Sequence, residues 1–240
     1  MSHPDEEGDV TEQILHALLD GNDRHVETLP DGYFDDVLDG QRPAVVSVCC
    51  SDSRVSQEGM WDVAEPGWLF TPSTIGNQAW DEYRGERVVD GSVLYPIAYA
   101  GTETVAVVGH TGCGAVTAAY EAVTGGATVE HPGVEKWVES LVPVVEDALS
   151  SGRVDADASD REVVNRLVEY NVDRQVEFLR DASAVPPEVR VYGFVYDFQR
   201  IYGDVPGRAY LVNADGETDP NALADRLPDR HRDSVRRLLD

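Results

Sequence analysis

The chain has no apolar run approaching the ~18–20 residues of a membrane-spanning helix, although 42% of its 240 residues are hydrophobic. A membrane-spanning protein is not expected, whereas a globular core of useful size is. Cysteine is scarce, with only Cys49, Cys50 and Cys113. That is too few for the disulfide framework of a secreted scaffold, so the thiols point to metal binding or catalysis in a reducing compartment. The opening residues MSHPDEEGDV lack the basic start and apolar run of a signal peptide, and a cytoplasmic protein is expected. Bases are few as well: 19 against 45 acids leaves a net charge of −26. Nucleic-acid binding needs basic surface, so no nucleic-acid partner is expected. Such a surface repels itself in dilute buffer and is screened in molar salt, where the Debye length falls to ~3 Å. A halophilic source fits that balance.

What is present is an alternation of apolar segments. Residues 9–21, DVTEQILHALLDG, read as a helix capped by Asp9 and stopped at Gly21, with Val10, Ile14, Leu15, Leu18 and Leu19 on one face. Residues 22–42 read as a polar loop. AVVSVCC (44–50) and TETVAVVGH (102–110) are buried-strand patterns, with a further short strand at 66–70. Helices are expected over about 87–100, 112–123 and along VEKWVESLVPVVEDAL, and an amphipathic one over 161–180. Residues 188–197 and 207–216 read as strands. The charged tail after Asp219 is helix-like, with Leu223, Leu227 and Leu238 to dock it. Strands alternating with helices predict an α/β fold, a mostly parallel β-sheet flanked by helices. No repeat or long linker divides it, so residues 1–240 are read as one domain, with 1–43 as an N-terminal helical arm and 217–240 as a charged C-terminal tail.

Two motifs carry chemistry. VCCSDSRV (48–55) ends one predicted strand and GHTGCGAV (109–116) ends another. In open α/β sheets, ligands collect beyond the carboxyl ends of strands, so residues sixty apart in sequence can meet there. Cys50, His110 and Cys113 then make a Cys₂His set. Three protein ligands with one open position is the pattern of a catalytic zinc site; a structural site is closed by four. Cys113 falls near a helix N-terminus, which favours an anionic sulfur. Cys49 points to the opposite strand face and is read as a small buried hydrophobe. His3, His16, His25 and His131 are read as surface or local-packing residues. Asp52 lies two residues from Cys50 and can reach the same pocket, where Arg54 can pair with it in a fork and keep it ionised. A turn salt bridge without a catalytic part is the competing reading of that pair.

C-x-D-S-R (50–54) followed by H-x-x-C (110–113) resembles a β-class carbonic anhydrase. LLDGNDRHV (18–26) is similar to the family's leucine-rich helix ending in G-N-x-R-F, with His25 in place of the Phe. YNVDRQVEFL (170–179) resembles its N-V-x-x-Q-V helix, and YGFVYD (192–197) its late G-x-x-Y-D strand. The likeness covers roughly residues 12–215. It implies the β-carbonic anhydrase fold, one Zn²⁺ per chain on Cys50, His110 and Cys113, and hydration of CO₂ to bicarbonate and a proton by zinc-bound hydroxide. Asp52 and Arg54 would form the dyad that orients the fourth ligand. Gln41, nine residues before Cys50, stands where plant-like members keep a substrate-binding glutamine, and Phe70 and Tyr95 match aromatic positions at the pocket and dimer interface. The resemblance implies a homodimer or higher even oligomer, with the N-terminal helix wrapping the partner through Leu15, Leu18 and Leu19. Its alternatives are a same-fold hydrolase of carbonyl sulfide or carbon disulfide, and a non-catalytic zinc scaffold or sensor. Retention of Asp52, Arg54 and Gln41 argues against the latter.

Departures from the family pattern narrow the expectation. Ser73 and Thr74 replace an Arg-Asn pair, and Ser47 stands where bicarbonate-regulated members carry a tryptophan. Of the regulatory set only Tyr196 remains, so an open, water-ligated site without that regulation is expected.

Overall fold

The computed structural model describes residues 6–126 and 129–239. The chain divides after Gly40 into two compact units. The first holds helix α1 (Glu6–Thr28) and the turns that follow. Val10, Ile14, Leu15, Leu18, Leu19 and Val26 on α1 are all more than half exposed. Gly21 does not stop this helix, contrary to the sequence reading. A helical glycine costs about 1 kcal/mol relative to alanine but keeps both backbone bonding groups. The helix ends at Thr28, two residues before Pro30, where the pre-proline residue is forced out of the α region.

The second unit, from Gln41 onward, carries the sheet. In chain order it contains β1 (Val45–Cys50), α2 (Gln57–Trp61), β2 (Leu69–Phe70), β3 (Ser73–Thr74), β4 (Trp80–Tyr83), β5 (Glu86–Val89), α3 (Gly91–Ala100), β6 (Thr104–His110) and α4 (Gly114–Gly125). Then follow α5 (Pro132–Ser150), α6 (Asp160–Asp181), β7 (Arg190–Asp197), β8 (Arg208–Ala214), α7 (Pro220–Asp225) and a 3₁₀ turn over Asp229–Ser234. The main sheet runs β2-β1-β6-β7-β8, with β3 also beside β1. All its pairings are parallel except β7–β8. The expected mostly parallel sheet flanked by helices is the one observed. Strands β1 and β6 are continuous apolar runs because helices cover both faces.

The segment expected as a helix over 87–100 is two elements. Residues 86–89 pair with 80–83 in a hairpin, and only 91–100 is helical. Arg84 and Gly85 both have positive φ (55° and 79°), the signature of a two-residue primed turn. Asp90 then caps α3, its carboxylate accepting from the Ser92 amide at 2.7 Å. The Arg84-Gly85 turn pair and the Asp90 cap five residues after it are the sequence signals of this break. In the C-terminal tail Leu223 is fully buried and Leu227 and Leu238 pack at core edges. Glu169 of α6 also accepts the Leu238 and Leu239 amides at 2.8 and 3.1 Å.

Candidate metal centre

Strands β1 and β6 are adjacent, parallel and in register at Cys49 and Val108. Their carboxyl ends therefore lie side by side, one ending in Cys50 and the other in His110. A tight turn through Gly112 (φ 63°) follows His110 and delivers Cys113 as the N-cap of α4. A side chain at 112 would be strained by that φ and would run into the Gln199 amide. The apolar strands and the glycine turn together converge three ligating groups from distant sequence.

The candidate ligand atoms of Cys50, His110 and Cys113 lie within 4.8 Å of one another, all three residues being buried. The two sulfurs are 3.8 Å apart, far beyond a covalent disulfide. Two thiolates each ~2.3 Å from a tetrahedral zinc stand about 3.8 Å apart. The imidazole is equally suited. Its Nδ1 is 3.1 Å from the Thr111 carbonyl, a contact that directs Nε2 to a metal. Nε2 itself is fully buried without a hydrogen-bond partner; Asp52 Oδ2 stands 3.5 Å from it. A buried unpartnered nitrogen costs free energy unless something binds it, and a zinc ion would. The contact between the two sulfurs holds the Cys50 thiol below its ordinary range, and the same contact with burial pushes Cys113 above it. A dication would hold both as thiolates. Cys50 Sγ also accepts the Gly76 amide at 3.4 Å.

Asp52 lies at the rim of this group. Arg54 donates Nε to its Oδ1 at 2.8 Å and Nη2 to its Oδ2 at 2.6 Å, and the Arg54 amide adds a third bond at 2.9 Å. The fork holds the Asp52 carboxyl well below the usual carboxylate range. Phe198 supports the same group, stacking on His110 (centroids 5.7 Å) and lying under the Arg54 guanidinium at 4.6 Å.

Five of the residues singled out from sequence thus meet: Cys50, His110, Cys113, Asp52 and Arg54. Three do not join them within one chain. Phe70 pairs with Val46, four residues and ~13 Å of strand from Cys50. Tyr95 is half exposed on α3, its ring 6.3 Å from that of Phe70. Gln41 is exposed and precedes the amino end of β1. Cys49 faces the other side of the sheet among Ala106, Val108, Met60 and Trp61. His16, His25 and His131 are exposed; His3 lies outside the described residues. Ser47 accepts from the Trp61 indole at 3.2 Å, and Ser73 from Gln57 at 3.0 Å. Sequence reasoning missed Phe198 and Gly76. Phe198 directly follows the YGFVYD strand, and Gly76 sits in the Thr74–Gln78 segment, whose one sequence signal is its departure from the family pattern.

Comparison with known proteins agrees with this geometry. A family model described as carbonic anhydrase matches residues 45–204. The chain is 29% identical over 172 residues to a carbonic anhydrase of Pseudomonas aeruginosa, covering 69% of this chain and 74% of that one. It is 35% identical over 139 residues to carbonic anhydrase 2 of Mycobacterium tuberculosis, covering 54% and 61% respectively. One of two tetrameric β-carbonic anhydrases from Sordaria macrospora superposes with a TM-score of 0.68 at 19% identity, over 84% of this chain and 98% of that one.

Proposed function

Because the chain belongs to the carbonic anhydrase family and is a β-class enzyme of that family, we propose that it catalyses the reversible hydration of CO₂ to bicarbonate and a proton at zinc held by Cys50, His110 and Cys113. The observation that carries this reading is the buried, unpartnered His110 Nε2 beside two sulfurs 3.8 Å apart. Zinc bound there would supply a nucleophile near neutral pH by acidifying water. Asp52 would accept a hydrogen bond from the attacking oxygen and so orient it toward the carbon of CO₂. With a pKa far below neutrality, Asp52 orients rather than stores the proton, which leaves to buffer by another route. Arg54 keeps Asp52 in place and charged. Arg54 bonds to both Asp52 oxygens, twice at Oδ1 and once at Oδ2, which leaves Oδ2 a lone pair for that hydrogen bond and supports an open site in which Asp52 is not itself a ligand.

The substrate-binding residues point to a dimer. Gln41, Phe70 and Tyr95 belong to the amino half of β1 and its neighbours, whereas the metal ligands lie at its carboxyl end. They serve the site of a second copy, Gln41 by hydrogen bonding to a substrate oxygen and the two rings by walling the pocket. The exposed apolar stripe of α1 suits burial against that copy. The net charge of −26 and the three unpaired thiols support a halophile's cytoplasm as the setting. No helix among the described residues is long and apolar enough to cross a membrane.

Stopped-flow CO₂ hydration at pH 7–9 in molar KCl tests the proposal, with zinc content measured on wild type and Asp52→Asn. Fast hydration by wild type, with a loss of ~10²-fold or more in Asp52→Asn at one zinc per chain, is expected. A zinc-loaded wild type with no activity at any of these pH values would overturn it.

A further inference from the structure

Helix α6 buries three side-chain amides: Asn165 and Asn171 are 1% exposed and Gln175 is fully buried. Buried amides are costly unless bonded, so their partners are informative. Asn165 Oδ1 accepts the Gly112 amide at 3.0 Å; Gly112 lies between the ligands His110 and Cys113. Its Nδ2 is anchored on the Arg161 carbonyl at 2.8 Å. Asn171 Nδ2 donates to the Gly76 carbonyl at 3.0 Å and to Asn77 Oδ1 at 3.2 Å. The amide of the same Gly76 points at Cys50 Sγ. Gln175 Nε2 fixes Asn171 Oδ1 at 2.9 Å, and its Oε1 takes the Ala79 amide at 2.8 Å. On the helical pitch Val168 and Val172 fall between these amides. Both press on Gly109, the residue before His110, where a Cβ would stand 2.7 Å from Val172 and 3.0 Å from Val168. One face of one helix therefore grips the backbone beside each of the three ligands.

We propose that α6 is the positioning element of the metal centre, with Asn165 setting the His110–Cys113 turn and Asn171 aiming the Gly76 N–H at the Cys50 sulfur. The role rests on the zinc site proposed above. An N–H donated to a thiolate drains charge from it and fixes its direction, and outer partners of this kind are typically worth 10–100-fold in metal affinity. Nothing in the role requires either asparagine to touch substrate.

The test uses the full chain, loaded with zinc for release to a chromogenic chelator and with cobalt for the sulfur-to-metal charge-transfer band. Asn171→Ala and Asn165→Ala are each expected to release zinc 10–100-fold faster. Asn171→Ala also moves the charge-transfer band to longer wavelength, because the Gly76 N–H is no longer held on the sulfur lone pair. Asn171→Asp keeps the acceptor for Gln175 but has no N–H for Gly76, and follows Asn171→Ala. Val163→Ala trims the same helix at a fully buried apolar position; it leaves both readouts at wild-type values. Should Asn171→Ala not fold, Asn171→Ser is read in its place, with the same expected direction. Unchanged release and band in the asparagine variants, or equal changes in Val163→Ala, would overturn the positioning role while leaving the zinc site intact. A wild type that binds no zinc would instead overturn the site itself.

Discussion

Adjacent cysteines in this chain have opposite fates because strand residues alternate faces. Cys49 packs among apolar groups, and burial pushes its thiol up to about 12, so it offers no thiolate at neutral pH. Cys49→Ala should keep one zinc per chain at a stability cost on the order of 1 kcal/mol, whereas Cys50→Ala should lose the metal; zinc analysis beside urea unfolding separates them. Asp52 gives a pH prediction. Its folded pKa is depressed, so the Asp52–Arg54 pair contributes stability above the unfolded value of ~3.9 and loses it as pH falls through the lower folded value. Asp52 thus stays a carboxylate between pH 5 and 9. Side-chain carbon NMR of the metal-free protein should show no inflection for it there, and one near pH 6 would contradict the fork. These residues were legible in sequence because C-x-D-S-R and H-x-x-C each sit within a few positions. Phe198 was not, because it reaches His110 only through the β6–β7 pairing.

At the scale of elements, strands β1 and β6 and helices α4, α5 and α6 follow from local apolar pattern. The β4–β5 hairpin did not, since its ERVV strand runs directly into the Asp90 cap and reads as one helical stretch. Gly21 shows the converse: a stop signal is overridden when neither a left-handed φ nor a breaker follows at once. The approach of α6 to the sheet depends on Gly109 and Gly193, each with a would-be Cβ 2.7 Å from Val172. Gly109→Ala should cost about 1–3 kcal/mol by overpacking, read as a lower urea midpoint at unchanged m. Gly125→Ala, with nothing within 4 Å, should be neutral or slightly stabilising.

Across the whole molecule, charge sets the response to solvent. With −26 on 240 residues, repulsion among surface carboxylates is screened only at high ionic strength. The unfolding midpoint should rise steadily from dilute buffer to molar KCl; equal stability in both would sink the halophilic reading. The family likeness, the Cys50, His110 and Cys113 candidate ligand set, the Asp52–Arg54 pair and the parallel sheet that brings them together are legible in the sequence alone, because each rests on short spacing or on apolar periodicity. Only the folded chain shows that Gln41, Phe70 and Tyr95 stand away from Cys50, His110 and Cys113, and that Asn165 and Asn171 grip the loops beside the two sulfurs. Those relations join backbone groups far apart in sequence, where hydrogen-bond partners are set by how a helix lies on a sheet and leave no local pattern to read.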